Sequence, residues 1–148
     1  MTTHMTQHYQ SLQRMYLSAP INQLYLPEIV ITEGEARIGI ELREDFHHAA
    51  GAVHGSVYFK MLDDAAYFAV SSLEPEFFML TASFTTYLIR PVSSGVMRSE
   101  GRVVSRTRSQ FIAESVVYDG RGRELARGSG IFVKGRPRLK DAAGYGVD

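Results

Sequence analysis

One stretch of the sequence, residues 54–70, would form a helix that is apolar on nearly every side. Eleven of its seventeen residues are apolar and they are not confined to one stripe: Val57, Tyr58, Phe59, Met61, Leu62, Ala65, Ala66, Tyr67, Phe68, Ala69 and Val70. A helix that lacks a polar face has to be buried. Gly55 and Ser56 are typical of the start of such a helix, and Glu74-Pro75 marks its end. The rest of the chain must therefore supply a surface that wraps around it.

Six segments with the composition of β-strands can supply that surface. Two precede the helix and four follow it, at residues 28–32, 36–42, 77–90, 96–105, 110–119 and 123–134. Glu33-Gly34 and the run from Asp119 to Gly122 are typical of tight turns between neighbouring strands. We therefore predict an α+β fold, in which a curled antiparallel sheet of five to six strands surrounds a central buried helix.

The chain divides into an N-terminal segment, one domain and a tail. Its 148 residues fit a single domain. Residues 1–27 are predicted to form an amphipathic helix and its connector, residues 28–134 the domain, and residues 135–148 a loose polar tail. Ala126, Gly128 and Gly130 share one face of the last strand, where their small side chains would let another element approach closely.

Composition and charge exclude several classes of protein. The absence of cysteine excludes disulfides, thiolate metal sites and a cysteine nucleophile. No apolar run reaches the ~20 residues of a membrane span, and no signal peptide is recognised, so we expect a cytoplasmic protein with no membrane partner. Residues 98–148 carry eleven basic and six acidic side chains (net +5), and residues 1–97 carry five and ten (net −5). The aromatic–basic pattern of RNA-binding proteins is absent, so no nucleic acid partner is expected.

Two adjacent carboxylates, Asp63 and Asp64, lie inside the helix that must be buried. An unpaired buried carboxylate is costly. Lys60 precedes them by three and four residues and can pair with either one. We expect Lys60 and Asp64 to occupy an exposed edge of the helix, which leaves Asp63 facing the interior or a subunit interface. Asp63 is therefore the candidate catalytic carboxylate.

The start of the same helix is a second candidate site, at His54-Gly55-Ser56. A helix N-terminus offers backbone N–H groups without partners and the positive end of the helix dipole, which suits a polarised carbonyl oxygen. The same residues also fit a helix cap with no further role. His47 and His48 lack the acidic partners of a known metal motif, so no metal is predicted.

This part of the sequence resembles the signature of the hotdog-fold acyl-CoA thioesterases, in particular the phenylacetic-acid-pathway type. That signature is Asn-x-x-Gly-x-x-His-Gly-Gly, followed by an Asp nine residues after the His and an Ala two residues later. Five positions match it: Gly51, His54, Gly55, Asp63 and Ala65. The strand ending at Pro91 and the hairpin from Glu114 to Gly128 are similar to later parts of the family. The resemblance covers about residues 28–134.

The resemblance implies a role for each matching residue. Asp63 corresponds to the catalytic carboxylate, which acts as nucleophile or as general base on water. Gly55 corresponds to the backbone N–H that polarises the thioester carbonyl, and His54 to the neighbour that helps to shape the site. Thr81 stands where some relatives carry a Ser that holds the attacking water.

Two positions depart most from the family pattern, and a milder departure is Thr107, where many relatives have a Gly before a basic residue. His48 stands where the family has an Asn, whose amide is offered to the thioester carbonyl; a His can donate there only in the right tautomer. Ser56 replaces the second Gly of His-Gly-Gly and adds a side chain near the helix start. Both changes bear on substrate choice and activity rather than on the fold.

The resemblance implies hydrolysis of an acyl-CoA thioester, with an acyl-carrier-protein thioester less favoured, and without cofactor or metal. A non-catalytic acyl-CoA-binding module and a hotdog hydratase or dehydratase are the alternatives. Arginine suits phosphate, and Arg90, Arg106 and Arg108 lie near predicted strand ends or turns, where they could bind the phosphates of coenzyme A.

The long strand at residues 77–90 would leave an open edge, which soluble proteins rarely leave bare. A homodimer, or a dimer of dimers, is therefore expected, with this strand near the interface. By the family resemblance, each active site would combine Asp63 of one subunit with residues 48–55 of the other.

Overall fold

A computed structural model describes residues 3–146 of the chain. Its helices and strands, in chain order, are α1 (Thr3–Ser18), α2 (Asn22–Tyr25), β1 (Glu28–Thr32), β2 (Glu35–Glu41), α3 (Gly55–Ser71), β3 (Phe77–Leu88), β4 (Val96–Arg106), β5 (Phe111–Asp119) and β6 (Glu124–Arg138). Single 3₁₀ turns lie at Glu44–Phe46 and Leu139–Asp141. All six predicted strands and both predicted helices are present, whereas α2 has no counterpart in the prediction. Within residues 3–146, no helix has the length and apolar character needed to cross a membrane.

The six strands form one antiparallel sheet in the order β1-β2-β4-β5-β6-β3. The helix α3 contacts every strand of this sheet. Six flat strands would be ~24 Å wide at about 4.8 Å between neighbours, whereas a helix with its side chains is only about 10 Å across. The sheet therefore curls around α3. This confirms the predicted α+β architecture, which is the hotdog fold.

The central helix lies directly on the backbone of the sheet. Ala65 and Ala66 of α3 are fully buried, and a Cβ on Gly101 of β4 would overlap the backbone of Ala65. From β5, the hydroxyl of Ser115 donates a hydrogen bond to the carbonyl oxygen of Leu62 at 2.7 Å. These contacts fix the rotation of α3 about its axis, and that rotation decides which of its side chains face away from the sheet.

The strand β3 is an edge strand that pairs only with β6. A Cβ on Gly128 or Gly130 of β6 would overlap the ring of Phe84, which confirms that these small residues allow another element to approach closely. The pairing register of β3 shifts between Thr81 and Ser83. Because such bulges redirect neighbouring side chains, this one affects the direction of Thr81.

The N-terminal helix α1 is part of the hydrophobic core. Its apolar stripe is buried at Tyr9, Leu12, Met15 and Tyr16. The ring of Tyr16 meets that of Phe68 in α3 edge-on, with centroids 4.8 Å apart. The amphipathic pattern therefore correctly predicts that one face of α1 is buried. That face packs against one side of α3.

Residues 135–146 have defined structure, so the prediction of a loose tail is wrong for them, and residues 147–148 lie outside the described part of the chain. The strand β6 continues to Arg138, and Leu139 is fully buried. The hydroxyl of Tyr145 donates to Nδ1 of the buried His8 at 2.7 Å, while Nε2 of His8 donates to the carbonyl oxygen of Ser71 at 2.7 Å. The sequence alone did not predict these contacts, because the partners of the tail residues lie in α1 and α3, far away along the chain.

Candidate active site

One side of α3 faces the edge strand β3 and forms a seam with it. Residues 55, 59, 63 and 67 are four apart, so they form a row along the helix. Each member of the row meets a residue of β3: Gly55 lies beside Leu88, the ring of Phe59 is edge-on to Phe84, Asp63 accepts a hydrogen bond from Thr81, and Tyr67 donates one to the Met79 carbonyl. Three of the predicted catalytic residues, Gly55, Asp63 and Thr81, therefore lie along this one seam.

Asp63 is partly buried within the seam. The hydroxyl of Thr81 donates to Oδ1 of Asp63 at 2.9 Å. Burial raises the pKa of Asp63 to about 6; the hydrogen bond from Thr81 and the charge of Lys60 oppose this rise, and the charge of Asp64 adds to it. A carboxyl group with a pKa near 6 is ionised at pH 7 and is still basic enough to accept a proton, as a general base must.

Asp64 pairs with Lys60 as predicted, but the prediction of an exposed edge is wrong. The Lys60 Nζ lies 2.7 Å from Oδ2 of Asp64, and the side chains of Lys60 and Asp64 are only 13% and 16% exposed. The hydroxyl of Tyr16 donates to the same Oδ2 at 2.7 Å, and Lys60 Nζ lies over the rings of Tyr16 and Tyr25. The cover comes from α1 and α2, which local spacing on α3 cannot reveal.

The N-terminus of α3 is capped by its own preceding residue. Nδ1 of His54 accepts the backbone N–H of Ser56 at 3.0 Å and lies 2.8 Å from the Ser56 hydroxyl. The added side chain of Ser56 thus points to His54. The N–H of Gly55 is in the first turn, where a helix provides no partner of its own. His54 therefore caps α3, and it borders the Gly55 N–H because it is the preceding residue.

The loop before α3 presents His48 in a defined tautomer. Nδ1 of His48 accepts the backbone N–H of Ala50 at 3.0 Å, so the ring proton is on Nε2. Gly51 closes this turn with φ = 82°, a left-handed conformation that favours glycine. His47 is held separately, with Nε2 donating to the carbonyl oxygen of Ser93 at 2.8 Å. Among residues 3–146, no group of three or more His, Cys, Asp or Glu side chains could hold a metal ion.

A cavity of about 480 Å³ opens beside Asp63 and Thr81. Its lining is largely apolar and includes segments from both ends of the chain. These are residues 15–22, at the end of α1 and the turn into α2, and residues 142–143 of the C-terminal segment. Sequence reasoning missed this part of the site. The apolar residues Leu139, Ala142, Ala143 and Tyr145 in the tail were the signal that could have found it.

The two halves of the candidate site are apart within one chain. Eight helical residues separate Gly55 from Asp63, which is about 12 Å at 1.5 Å per residue. Gly55 lies beside Leu88 at the end of β3, and Asp63 lies beside Thr81 in its first half. A group bound at the start of α3 cannot therefore contact Asp63 of the same chain.

The three arginines predicted to bind coenzyme A lie at two ends of the sheet. Arg90 follows β3 at the end where β6 begins, and its N–H donates to the carbonyl of Leu125. Arg106 ends β4 and Arg108 follows it, at the opposite end, where β5 begins. All three are exposed, and the guanidinium of Arg106 lies 5.1 Å from the centre of the Phe111 ring. They do not form one cluster within a chain.

Comparison with known proteins identifies the family. The family model described as the thioesterase superfamily matches residues 50–126. The match covers just over half of the chain and includes α3, β3, β4 and β5. The chain belongs to the thioesterase superfamily. Membership of this superfamily supports hydrolysis of a thioester, without specifying the substrate. The seam residues Gly55, Asp63 and Thr81 all lie within the matched region.

Relatives and solved structures agree with this assignment. A protein of Saccharolobus solfataricus whose name proposes an esterase activity is 26% identical over 103 residues, which are 70% of this chain and 69% of that protein. The Escherichia coli PaaI protein from the phenylacetic acid degradation operon superposes with a TM-score of 0.82 at 15% identity, over 92% of this chain and 99% of that one. A variant of PaaI from Thermus thermophilus gives a TM-score of 0.72 at 20% identity, over 78% and 99%. At these identities the structural likeness shows the hotdog fold alone.

Asp63 should titrate near pH 6, well above its ordinary value of 3.8. Thr81→Ala should raise this pKa further, because it removes a hydrogen bond that favours the charged carboxylate. The NMR shift of the Asp63 carboxyl carbon as a function of pH measures both values. Ser83→Ala is the control, since it removes a hydroxyl from the same strand. An ordinary Asp63 pKa, or one unchanged by Thr81→Ala, would contradict the environment described above.

Proposed function

We propose that this member of the thioesterase superfamily hydrolyses an acyl-CoA thioester to the free acid and coenzyme A, without cofactor or metal. One observation carries the proposal: Asp63 is a carboxylate of raised pKa, oriented by Thr81, at the edge of a largely apolar cavity. The cavity would take the acyl group and the carboxylate would act at its carbonyl. The cytoplasm remains the proposed compartment, on the sequence argument alone.

The carbonyl oxygen of the thioester would be polarised at the start of α3. There the Gly55 N–H and the positive end of the helix dipole would stabilise the charge that develops on the oxygen. His48 would supply a second donor from Nε2, because its Nδ1 is occupied by the Ala50 N–H. His48 would thus donate a hydrogen bond to the carbonyl oxygen, as the Asn amide of the family pattern does.

Asp63 would act as a general base on water. Thr81 directs its own proton to Asp63 Oδ1, so its oxygen keeps lone pairs that can accept a hydrogen bond from a water molecule between the two residues. Asp63 takes a proton from this water, the water oxygen attacks the carbonyl carbon, and a tetrahedral oxyanion forms against Gly55. The carbon–sulfur bond then breaks, and the departing coenzyme A thiolate receives the proton.

This chemistry requires two subunits. An attacking oxygen must come within about 3.5 Å of the carbonyl carbon, but Gly55 and Asp63 of one chain are about 12 Å apart along α3. Antiparallel pairing of two β3 edges about a two-fold axis would bring the end of one strand to the start of the other, and so Gly55 of one chain towards Asp63 of its partner. We propose a homodimer of this kind, with a dimer of dimers as the next level of assembly.

The exposed apolar residues of the seam support this interface. Phe59 is 42% exposed, and Leu80, Tyr87 and Leu88 of β3 are each about half exposed or more. Such a set beside an unpaired strand edge is what a second copy would cover. The midpoint of the row from Gly55 to Asp63 is Phe59, so this residue would lie at the two-fold axis.

The nucleotide end of coenzyme A would be held by arginine at the rim. Arg90 lies at one end of the sheet and Arg106 and Arg108 at the other, so an antiparallel dimer would place the partner's Arg90 on the side of Arg106 and Arg108. An exposed arginine pairs with phosphate through several N–H donors. An acyl-carrier-protein thioester is the less favoured substrate.

Asp63→Asn should mainly reduce activity, whereas Asp64→Asn should mainly reduce stability. Asp63→Asn should lower kcat about a hundredfold or more, because it removes the general base. It should not lower the melting temperature at pH 7.5. Because the pKa of Asp63 is raised from 3.8 to about 6 on folding, the native state loses stability as the pH rises between these values; the full loss is present at pH 7.5, and Asn avoids it. Asp64→Asn should reduce stability by breaking the Lys60 pair, while kcat falls much less.

Released thiol, measured over a panel of acyl-CoAs, and thermal melts test these expectations. If Asp64→Asn were the inactivating change, the assignment of Asp63 would be wrong. Tight binding of acyl-CoA without thiol release by the wild-type protein would favour the non-catalytic binding module. Water addition to an unsaturated acyl-CoA would favour the hydratase.

The dimer should depend on the seam between α3 and β3. Phe59→Asp places a charge at the proposed two-fold axis and should convert the dimer to monomer at micromolar concentration, as measured by sedimentation velocity. Val30→Asp is the matched control: Val30 is 53% exposed, on the other edge strand β1. A monomeric wild-type protein, or dissociation caused equally by both variants, would rule out this interface.

Mixing two inactive variants tests the shared site more directly. Gly55→Val would block approach to the helix start, and Asp63→Asn removes the base. If each site combines two chains, the mixed dimers keep one intact site of two, and reassembly of equal amounts should restore roughly a quarter of wild-type activity. No recovery in a mixture shown to contain mixed dimers would place both groups of a site in one chain.

The salt dependence of catalysis should reveal the arginine rim. Raising the salt concentration to about 0.5 M screens exposed charge pairs strongly, so KM for acyl-CoA should rise more than kcat falls. A pantetheine thioester of the same acyl group lacks the nucleotide phosphates and should show a much smaller effect. Equal salt dependence of the two substrates would remove the arginines from coenzyme A binding and favour the carrier protein.

A further inference from the structure

We propose that the two ends of the chain form the outer wall of the acyl pocket, and that this wall limits the length of the acyl group that is hydrolysed. The inference rests on the proposed hydrolase function and deepens it, because it assigns medium-length apolar acyl groups as the substrate class. The "terminal wall" consists of Met15, Ala19 and Ile21 at the junction of α1 and α2, together with Ala142 and Ala143.

The terminal wall shares one cavity with the reacting group. Asp63 and Thr81 line the same space of about 480 Å³ as the wall residues. A methylene group takes up about as much volume as a water molecule in the liquid, ~30 Å³. The cavity volume equals that of about sixteen methylene groups at ~30 Å³ each. Since a bound group does not fill a pocket completely, the cavity has room for an aryl group or for an acyl chain of roughly a dozen carbons, and a longer chain would meet the wall.

The wall is apolar even though three charged side chains of α3 border the cavity: Lys60, Asp63 and Asp64. The charge of Asp64 is compensated by Lys60 and by the hydroxyl of Tyr16, each 2.7 Å from its Oδ2. The ammonium group of Lys60 in turn lies over the rings of Tyr16 and Tyr25. Asp63 is thus the carboxylate in the cavity without a cationic partner, and the remaining surface suits a hydrocarbon group.

The two ends of the chain hold each other in place. The hydroxyl of Tyr145 donates to His8 of α1, and the guanidinium of Arg14 donates to the Tyr145 carbonyl at 3.4 Å. Gly144 has φ = 85°, and a Cβ there would overlap the hydroxyl of Ser18. On the other side, the amide of Asn22 donates to the Tyr16 carbonyl at 2.7 Å. These contacts make the wall a fixed boundary.

The terminal wall lies outside the region that defines the superfamily. The family match begins at residue 50 and ends at residue 126, whereas the wall comes from residues 15–21 and 142–143. The residues that would perform the reaction are inside the match. Acyl-chain preference should therefore be a property of this chain's own ends, while the reaction belongs to the common core.

Enlarging a wall residue should shorten the preferred acyl chain. Ala142→Phe and Ala19→Phe each add a ring to the cavity, so kcat/KM for decanoyl-CoA should fall at least about tenfold, while that for acetyl-CoA changes less than about twofold. Ile21→Ala trims a side chain that is 53% exposed, so it should fold normally and increase kcat/KM for tetradecanoyl-CoA. Val30→Phe, on the exposed face of β1, is the control that should change none of these values.

A binding measurement separates this inference from the proposed function. The decyl thioether of coenzyme A cannot be hydrolysed, and its affinity, measured by calorimetry, should fall in Ala142→Phe and Ala19→Phe but not in Val30→Phe. If the wild-type protein hydrolyses acyl-CoAs but the wall variants affect all chain lengths equally, or none, the wall assignment is overturned. If it hydrolyses none but binds the thioether in a wall-dependent way, the hydrolase proposal fails and the pocket assignment stands.

Discussion

The structure depends on the burial of a helix that has no polar face. α3 can be stable only if apolar surface surrounds it, and the six-stranded sheet, with α1 on the remaining side, provides that surface. The contact is close enough for Gly101 to lie against the backbone of Ala65, so α3 cannot rotate. This constraint fixes the row of residues from Gly55 to Tyr67 along the open seam beside β3, and the candidate site is a direct consequence of it.

The second constraint is the cost of placing two carboxylates on a buried helix. The protein meets this cost in different ways for the two residues. Asp64 is neutralised by Lys60 and Tyr16 and becomes a structural link between α1 and α3. Asp63 receives only a hydrogen bond from Thr81, and burial raises its pKa to about 6. Because Lys60 is paired with Asp64, Asp63 has no ion-pair partner among residues 3–146, and its burial keeps it available for proton transfer near neutral pH.

The same framework explains why parts of the proposed site come from different places. The region matched by the superfamily contains Gly55, Asp63 and Thr81, but the geometry of a helix keeps the first two about 12 Å apart, so the proposed reaction would need a second subunit to complete the arrangement. Segments near the two ends of the chain line the cavity beside Asp63. Our proposals thus place the reaction in the core, the assembly at the β3 edge and the acyl preference in the terminal wall.

The sequence by itself determined the buried helix, the six strands, the α+β class and the candidates Asp63, Gly55 and Thr81. These follow from periodicity, turn residues and a family signature, all of which are read over short distances along the chain. Only the tertiary structure decided that the Lys60–Asp64 pair is covered, that the tail packs on α1, that His48 carries its proton on Nε2, and that Arg90 lies far from Arg106. Each of these depends on contacts that form only in the folded chain. Several join segments that are distant in sequence, such as His8 and Tyr145. Composition and residue spacing do not reveal such contacts.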